Sequence, residues 1–470
     1  MKKDTLLEKI KDLSDLDKHQ EIIDMIEGLP TEQLNNEIIG QLARAYINVQ
    51  NYEKAIEVLK SIEKDEKNTM LWNYRMGCSY FYLKDYEKAE EYFLKAYNLE
   101  PEDENIKDFL MDIYINLSKQ IKFGEDDLDN QKKALNYALK AKDYMTTDDK
   151  KIECYSYLAF LYNKFTEYST AEELLKKAIS LGRDDLWIHS ELGYCLGELN
   201  KLEESLEHYL KVIELEPDNI WALSQFAWTY RCLGRYEEAI ENLKKVLEII
   251  NGDKTNDNTD EKIFLNSQIG WIYGKIENSN PEEALYYLNV AKELGRDDEW
   301  INAEIGWELG YKAVGKDEEA VKYFERAIEL GRNDEWIWIR IADIYFDLKR
   351  YEDALKAYNK AYEFECLHNE GQASLYIRKI GKTLRRLGRY EEAIEKLLES
   401  RKLSLEEGEK AEVEDLELSY CYATLGDRDN GEKYMKLFID SVGTRIENDE
   451  KLKKELEELK EMVNMLYHPS

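Results

Sequence analysis

The chain has 470 residues, 43% of them apolar and 35% charged, with five prolines and a formal net charge of -33. That composition suits an all-α protein, and the negative charge disfavours nucleic acid and anionic membrane surfaces while favouring cationic partners. No stretch approaches the roughly 20 apolar residues that span a bilayer, and the opening MKKDTLLEKIKDL has lysines but no apolar segment or cleavage site, so a cytoplasmic protein is expected.

Residues 4–30 read as capping helices at the N-terminal end. From residue 36 a phrase recurs: NYEKAIEVLKS at Asn51, DYEKAEEYFLKA at Asp85, RYEEAIENLKKV at Arg235, RYEDALKAYNKA at Arg350 and RYEEAIEKLLES at Arg389. Its alanine aligns at Ala55, Ala89, Ala134, Ala171, Ala239, Ala284, Ala320, Ala354 and Ala393, with Ser205 and Gly431 in the same register. A second small residue, about 12 positions earlier, runs through Ala43, Gly77, Ala159, Gly193, Ala227, Gly270, Gly306, Ala342 and Gly381. Each unit is therefore expected to be two helices, A and B, whose small residues let the backbones approach. Gly234 and Gly388 are placed to end helix A in the left-handed conformation.

Between units stands another repeated phrase, GRDDLW at Gly182, GRDDEW at Gly295 and GRNDEW at Gly331. Its glycine is expected to end helix B, and Asp297 or Asp298 to cap the next helix A. Two interruptions stand out, an excess of residues near 115–132 and a polar insertion near 250–262. From Asn448, NDEKLKKELEELKEMVNML reads as a closing helix over an otherwise bare apolar face.

These residues resemble the tetratricopeptide repeat family. Its pattern of W-x2-L-G-x2-Y, then A-x3-F and A-x4-P, is visible in YRMGCSYFYLKDYEKAEEYFLKAYNLEP from Tyr74 and in SQFAWTYRCLGRYEEAIENLKKV from Ser224. The resemblance implies an α-solenoid, a right-handed superhelix of stacked helix-turn-helix repeats with A helices lining the concave side. The expected division is capping helices over 1–35, ten to eleven repeats over 36–440, and a capping helix over 441–470.

The core stripe of helix A carries Leu192 and Leu196, Phe226 and Tyr230, Ile269 and Tyr273, Ile305 and Leu309, Ile341 and Tyr345. The tryptophan of the second phrase and the residue seven later point away from that stripe. Trp187 with Tyr194, Trp221 with Trp228, Phe264 with Trp271, Trp300 with Trp307, and Trp336 with Asp343 form a ladder, bordered by Glu191, Gln225, Gln268 and Glu304. Exposed aromatic rows bind something or seal a seam between neighbouring helices. The favoured expectation is a groove in which rings and carboxylates hold Lys or Arg of an extended peptide.

One segment, RKIGKTLRRLGR, gathers Arg378, Lys379, Lys382, Arg385 and Arg386 on one helix. Pairing with the acidic EEGEKAEVEDLE from Glu406 is one reading; an anion site that also includes Arg340 is the other. The early residues Arg44, Tyr74, Arg75 and Cys78 lack the paired Lys and Asn of the carboxylate clamp found in chaperone-binding members of the resembled family.

The five histidines (His19, His189, His208, His368, His468) lie apart in sequence. The six cysteines (Cys78, Cys154, Cys195, Cys232, Cys366, Cys421) read as small core residues without disulfides or zinc. DKTNDNTDE from Asp253 and GEDDLDNQ from Gly124 lack the central glycine and terminal glutamate of a calcium loop. No catalytic residue, cofactor or metal is therefore expected. The reading is a non-enzymatic scaffold or adaptor whose aromatic, acidic concave groove binds an extended cationic peptide or protein segment. A cytosolic receptor for a small signalling peptide and a carbohydrate-binding groove are the alternatives.

Overall fold

The computed structural model describes residues 3–124, 127–253, 255–277, 281–313, 315–368, 371, 373–443 and 450–465. Asn448, Asp449 and His468, and parts of the two polar loops (Glu125, Asp126, Lys254), lie outside them. The described residues form helices and no strand. None of those helices is long and apolar enough to cross a membrane.

Two compact units divide the chain, residues 1–235 and 236–470. In the first, helices Lys3–Asp15 and His19–Glu27 precede the hairpins Asn36–Asn48 with Tyr52–Ser61, Met70–Tyr82 with Tyr86–Leu99, and Glu104–Gln120 with Leu128–Ala141. Asp148–Lys164 with Tyr168–Ser180, then Leu186–Glu198 with Leu202–Leu215, continue the row to Ile220–Cys232. The second unit opens with Tyr236–Gly252. It runs through Thr259–Lys275 with Pro281–Glu293, Glu299–Trp307 with Asp317–Glu329, and Glu335–Asp347 with Tyr351–His368. Ala373–Arg386 with Tyr390–Glu406 and Glu412–Thr424 with Arg428–Val442 come next, and Glu450–Met465 closes it.

Within each unit every hairpin packs on the next, as in an α-solenoid. At the first end Leu6 and Ile10 bury against Ile22, Ile23 and Ile38. At the last, Leu459 packs with Ala423, and Leu456 with Phe438 and Val442. Many helices start on a side-chain cap: Asn35, Asn51, Asp85, Asp103, Thr147 and Asn219 each accept the third amide of their helix, which satisfies a donor the helix itself leaves open.

The hairpins close where helix A offers glycine and helix B presents the side chain four residues after its own small residue. A Cβ built on Gly77 would sit 2.7 Å from the Phe93 ring, on Gly193 2.8 Å from Tyr209, and on Gly381 2.8 Å from Leu397. The sequence-based core stripe is buried accordingly, with Leu192, Leu196, Ile269, Ile305 and Ile341 at 1% exposure or less.

Four features differ from the sequence-based reading. The polar insertion is shorter than 250–262, because helix continues through Gly252 and resumes at Thr259. Helix Glu299–Trp307 passes into a π-helical turn, Glu308–Lys312, leading to a loop with Gly315 at φ +77°. The spacing from Gly306 to Ala320 exceeds the common 12 residues by two, and a π turn absorbs an extra residue without breaking the helix. Left-handed A-helix ends are not confined to glycine: Gln50, Lys84, Thr166, Asn200 and Lys349 take them too, at φ +57° to +63°. Finally, Cys232 and Cys366 are exposed rather than in the core, whereas the other four cysteines are buried and all six are free thiols.

At Gly270 the approach involves backbone. An added Cβ would lie 2.7 Å from Leu288 Cγ and 3.0 Å from the Ala284 carbonyl oxygen. Gly270→Ala is expected to lower stability by about 1–3 kcal/mol on urea unfolding, despite alanine's better helix propensity, because the helices must separate.

Candidate functional site

The phrase GRxDxW is a local joint. Its glycine is left-handed, at φ +106° for Gly182, +117° for Gly295 and +113° for Gly331. The arginine amide then reaches back to the previous helix, Arg183 to Ala178, Arg296 to Ala291 and Arg332 to Ala327, closing it in a Schellman turn. Asp185, Asp298 and Asp334 cap the next helix through the amides of Ile188, Ile301 and Ile337 at 2.8–2.9 Å. Each arginine Nε donates to that aspartate, and its guanidinium lies over the tryptophan at 4.4 Å (Arg183 on Trp187), 4.5 Å (Arg296 on Trp300) and 4.6 Å (Arg332 on Trp336). Asp297 has another task, holding Lys292 at 2.5 Å and Arg326 at 2.9 Å.

One face of Trp187, Trp300 and Trp336 is thus occupied by the chain's own cation, as is Trp271 by Lys275 at 5.0 Å. Trp307 stacks on Tyr311 at 4.3 Å and meets Trp336 of the next hairpin at 5.9 Å, and Arg340 covers both tryptophans. Here the ladder does seal a seam between neighbouring hairpins. Glu304 is half-buried, and burial raises its carboxyl above the usual range. Gln225 and Gln268 are half-buried, while Trp221, Trp228 and Phe264 are exposed at 43%, 37% and 59%.

Three of the expected groove residues do come together. Glu191, Tyr194 and Trp221 line a cleft of about 420 Å³ in the first unit, with Phe160, Asn163 and Tyr168 of the preceding hairpin. Trp187, Gln225 and Trp228 are not among its lining residues. Asn163 Nδ2 donates to Glu191 Oε2 at 2.8 Å, and the buried Cys195 thiol donates to Asn163 Oδ1 at 3.0 Å, so the carboxylate is held from beneath. Burial and a hydrogen bond to Tyr168 push the Tyr194 phenol up to about 12. Lys164 stands at the rim with Nζ 5.7 Å from the Phe160 ring centre. Thr166, another lining residue, is a β-branched residue at φ +61°, a strained conformation. Phe160, Asn163 and Tyr168 were missed because the sequence-based ladder starts one hairpin later, at Trp187.

The basic helix is largely committed internally. Arg378 approaches Glu414 at 3.7 Å, Lys379 pairs with Asp343 at 2.5 Å, and Arg385 pairs with Glu417. Glu414 and Glu417 belong to the acidic segment considered as the pairing partner. Lys382 lies over Phe346 at 5.3 Å, and Arg386 is exposed. Among the described residues, Arg340, Lys382 and Arg386 have no carboxylate partner.

Two histidines that lie apart in sequence meet in the hairpin Leu186–Glu198 with Leu202–Leu215. His189, 1% exposed, has Nε2 2.6 Å from Asp184 Oδ1 and Nδ1 2.9 Å from His208 Nδ1. The carboxylate can only accept, so His189 Nε2 carries hydrogen and, in the neutral pair, His208 Nδ1–H donates to His189 Nδ1. Burial, then His189, holds His208 down at about 4.

Both units are α-solenoid rows of helical hairpins. Tetratricopeptide repeat family profiles match residues 37–62, 71–103, 184–251, 308–335 and 333–406, in both units. The chain belongs to the tetratricopeptide repeat family, whose members generally mediate interactions between proteins.

Among solved structures, the C-terminal part of a TPR repeat-containing protein from Cytophaga hutchinsonii is 19% identical, with a TM-score of 0.39 over 55% of this chain and 95% of that one. YrrB, described as a TPR protein with an unusual peptide-binding site, is 25% identical, with a TM-score of 0.33 over 41% and 93%. The APC/C hetero-tetramer Cut9–Hcn1 is 13% identical, with a TM-score of 0.36 over 98% and 96%.

The geometry has two measurable consequences. Arg385→Gln strands the Glu417 side chain, which is 5% exposed, and should cost roughly 3 kcal/mol in a denaturant melt. As pH falls below the ordinary histidine value of 6.5 towards about 4, the unfolded chain takes up a proton that folded His208 refuses, so stability falls. Comparing stability at pH 7 and pH 5, His208→Asn should show a smaller loss than the parent.

Proposed function

We propose that this protein is an adaptor whose cleft at Glu191 takes a lysine or arginine side chain from an extended segment of a partner protein. The supporting observation is a positioned carboxylate among Phe160, Tyr168, Tyr194 and Trp221, in a space of about 420 Å³. Aromatic faces and one carboxylate suit a long aliphatic stem ending in a cation. Trp221 makes an edge contact with Tyr209 at 5.8 Å yet stays exposed, so it offers a ring face that no cation among the described residues covers. The net charge of -33 steers basic segments toward the surface before they dock.

The test uses fluorescein-labelled, end-capped decapeptides rich in lysine or arginine, with glutamate-rich counterparts as controls. Basic peptides should bind, and more weakly as salt rises. Glu191→Gln should weaken them about tenfold, the worth of a charge-assisted hydrogen bond. Trp221→Ala should weaken them as well, and both variants should melt close to the parent. Equal binding by the parent and the double variant, or a preference for acidic peptides, would refute the reading.

A further inference from the structure

The GRxDxW joint also holds a side chain five residues beyond its third position. Asp297 accepts from Asn302 at 2.9 Å, Asn333 from Trp338 at 2.8 Å, and Asp184 from His189 at 2.6 Å. Of these three joints, the first alone holds an imidazole. That bond keeps the Asp184 carboxyl below the usual carboxylate range. With the Nε2 hydrogen fixed on an ionised carboxylate, His189 presents the lone pair of Nδ1 to its neighbour.

The neighbour is His208, whose Nδ1 lies 2.9 Å away. The ring centres are 5.1 Å apart and the planes differ by 22°, so the rings meet edge to edge through these nitrogens. His189 is 1% exposed but His208 is half-buried, which brings the junction within reach of solvent on one side. Burial, and then His189, Lys211 and Lys176, hold His208 down at about 4, so it is neutral at pH 7, the form in which imidazole binds a metal.

Glu204 stands one turn before His208 on the same face of helix Leu202–Leu215. Its carboxylate is 54% exposed and lies 3.5 Å from Lys176, which is closer to Glu172 at 2.7 Å. So loose a surface pair costs little to break.

Two imidazoles and one glutamate, with water in the fourth place, make a ligand set that suits zinc. At bond lengths of about 2.0–2.1 Å, two nitrogens in tetrahedral coordination stand about 3.3 Å apart, so the rings need part by only a few tenths of an ångström. Among the described residues no three carboxylate, imidazole or thiol groups already surround one point, so Glu204 turns inward to complete the set. His189 Nδ1 is already free of hydrogen, and His208 moves its hydrogen from Nδ1 to Nε2, so the neutral pair takes up the metal without net loss of a proton. Asp184 on His189 Nε2 is the outer carboxylate that orients a ligating histidine and raises its basicity.

We propose that His189, His208 and Glu204 bind one divalent cation of the zinc class, with Asp184 fixing His189 from behind. The metal would clamp helix Leu186–Glu198 to helix Leu202–Leu215. Neither histidine lines the Glu191 cleft, so the two sites can fail separately.

Isothermal titration calorimetry and thermal melts on the chelator-treated full chain at pH 7.5, with zinc and magnesium chlorides as probes, test it. One zinc ion should bind per chain and raise the melting temperature, because it binds the folded form. Magnesium, which prefers oxygen ligands, should not bind there. His208→Asn should weaken zinc a hundredfold or more, Glu204→Gln about tenfold, and Asp184→Asn about tenfold through the orientation of His189. Cys232→Ser, which removes an exposed thiol, should leave affinity unaltered. If His208→Asn does not fold, the exposed Glu204 carries the test. Absence of zinc binding, equal affinity in the parent and Glu204→Gln, or loss of binding in Cys232→Ser with retention in His208→Asn would overturn the site.

Discussion

The close approach of paired helices at one small residue per hairpin governs everything else in the two units. Where Gly77, Gly193, Gly270, Gly306 and Gly381 face Phe93, Tyr209, Leu288, Phe324 and Leu397, the helix axes come near enough that no Cβ fits without movement. Such contact sets rotation as well as distance, since turning helix A would drive a larger side chain into helix B. The opposite face of helix A is therefore turned outward, and whatever that face carries becomes surface. Interiors packed this densely transmit the constraint from hairpin to hairpin.

Successive hairpins need a joint of defined direction, and GRxDxW supplies it with short-range bonds. Glycine ends one helix, aspartate starts the next, and arginine ties the aspartate to the tryptophan ring. The tryptophan is accordingly part of the joint as well as of the outer face. Rings stacked on their own arginine have less to offer a ligand, whereas Trp221, which comes after LEPDN instead of GRxDx, is not stacked in this way. Binding capacity thus concentrates where the joint is absent.

Charge is handled in the same local way. Arg378, Lys379 and Arg385 find carboxylates on other helices, so much of the most basic segment is committed to the packing of its own unit. Against that background the exceptions stand out physically: Glu191 held upward by the neutral Asn163, and Arg75 pressed on Gly40 without an ion pair among the described residues. Half-buried charge without an opposite charge paired to it is costly, and both occur beside clefts.

Much of this was legible in the amino-acid order, because helices and their ends depend on neighbours within about four residues. The repeat period, the small anchors, the core stripe and the left-handed glycines of the joints could all be read from residue spacing. So could the outward row of rings, which needs only the angle of each residue around its helix. Spacing carries no information about which side chains from different hairpins meet. Asn163 beneath Glu191, Arg75 against Gly40, and His189 on His208 join residues 19 to 35 positions apart, and their contacts depend on helix separation and tilt. Nor does composition reveal which cations are spent on internal carboxylates, as Arg385 is on Glu417. Those pairings were decided only when packing brought the helices together, because a side-chain contact requires correct distance and direction at once.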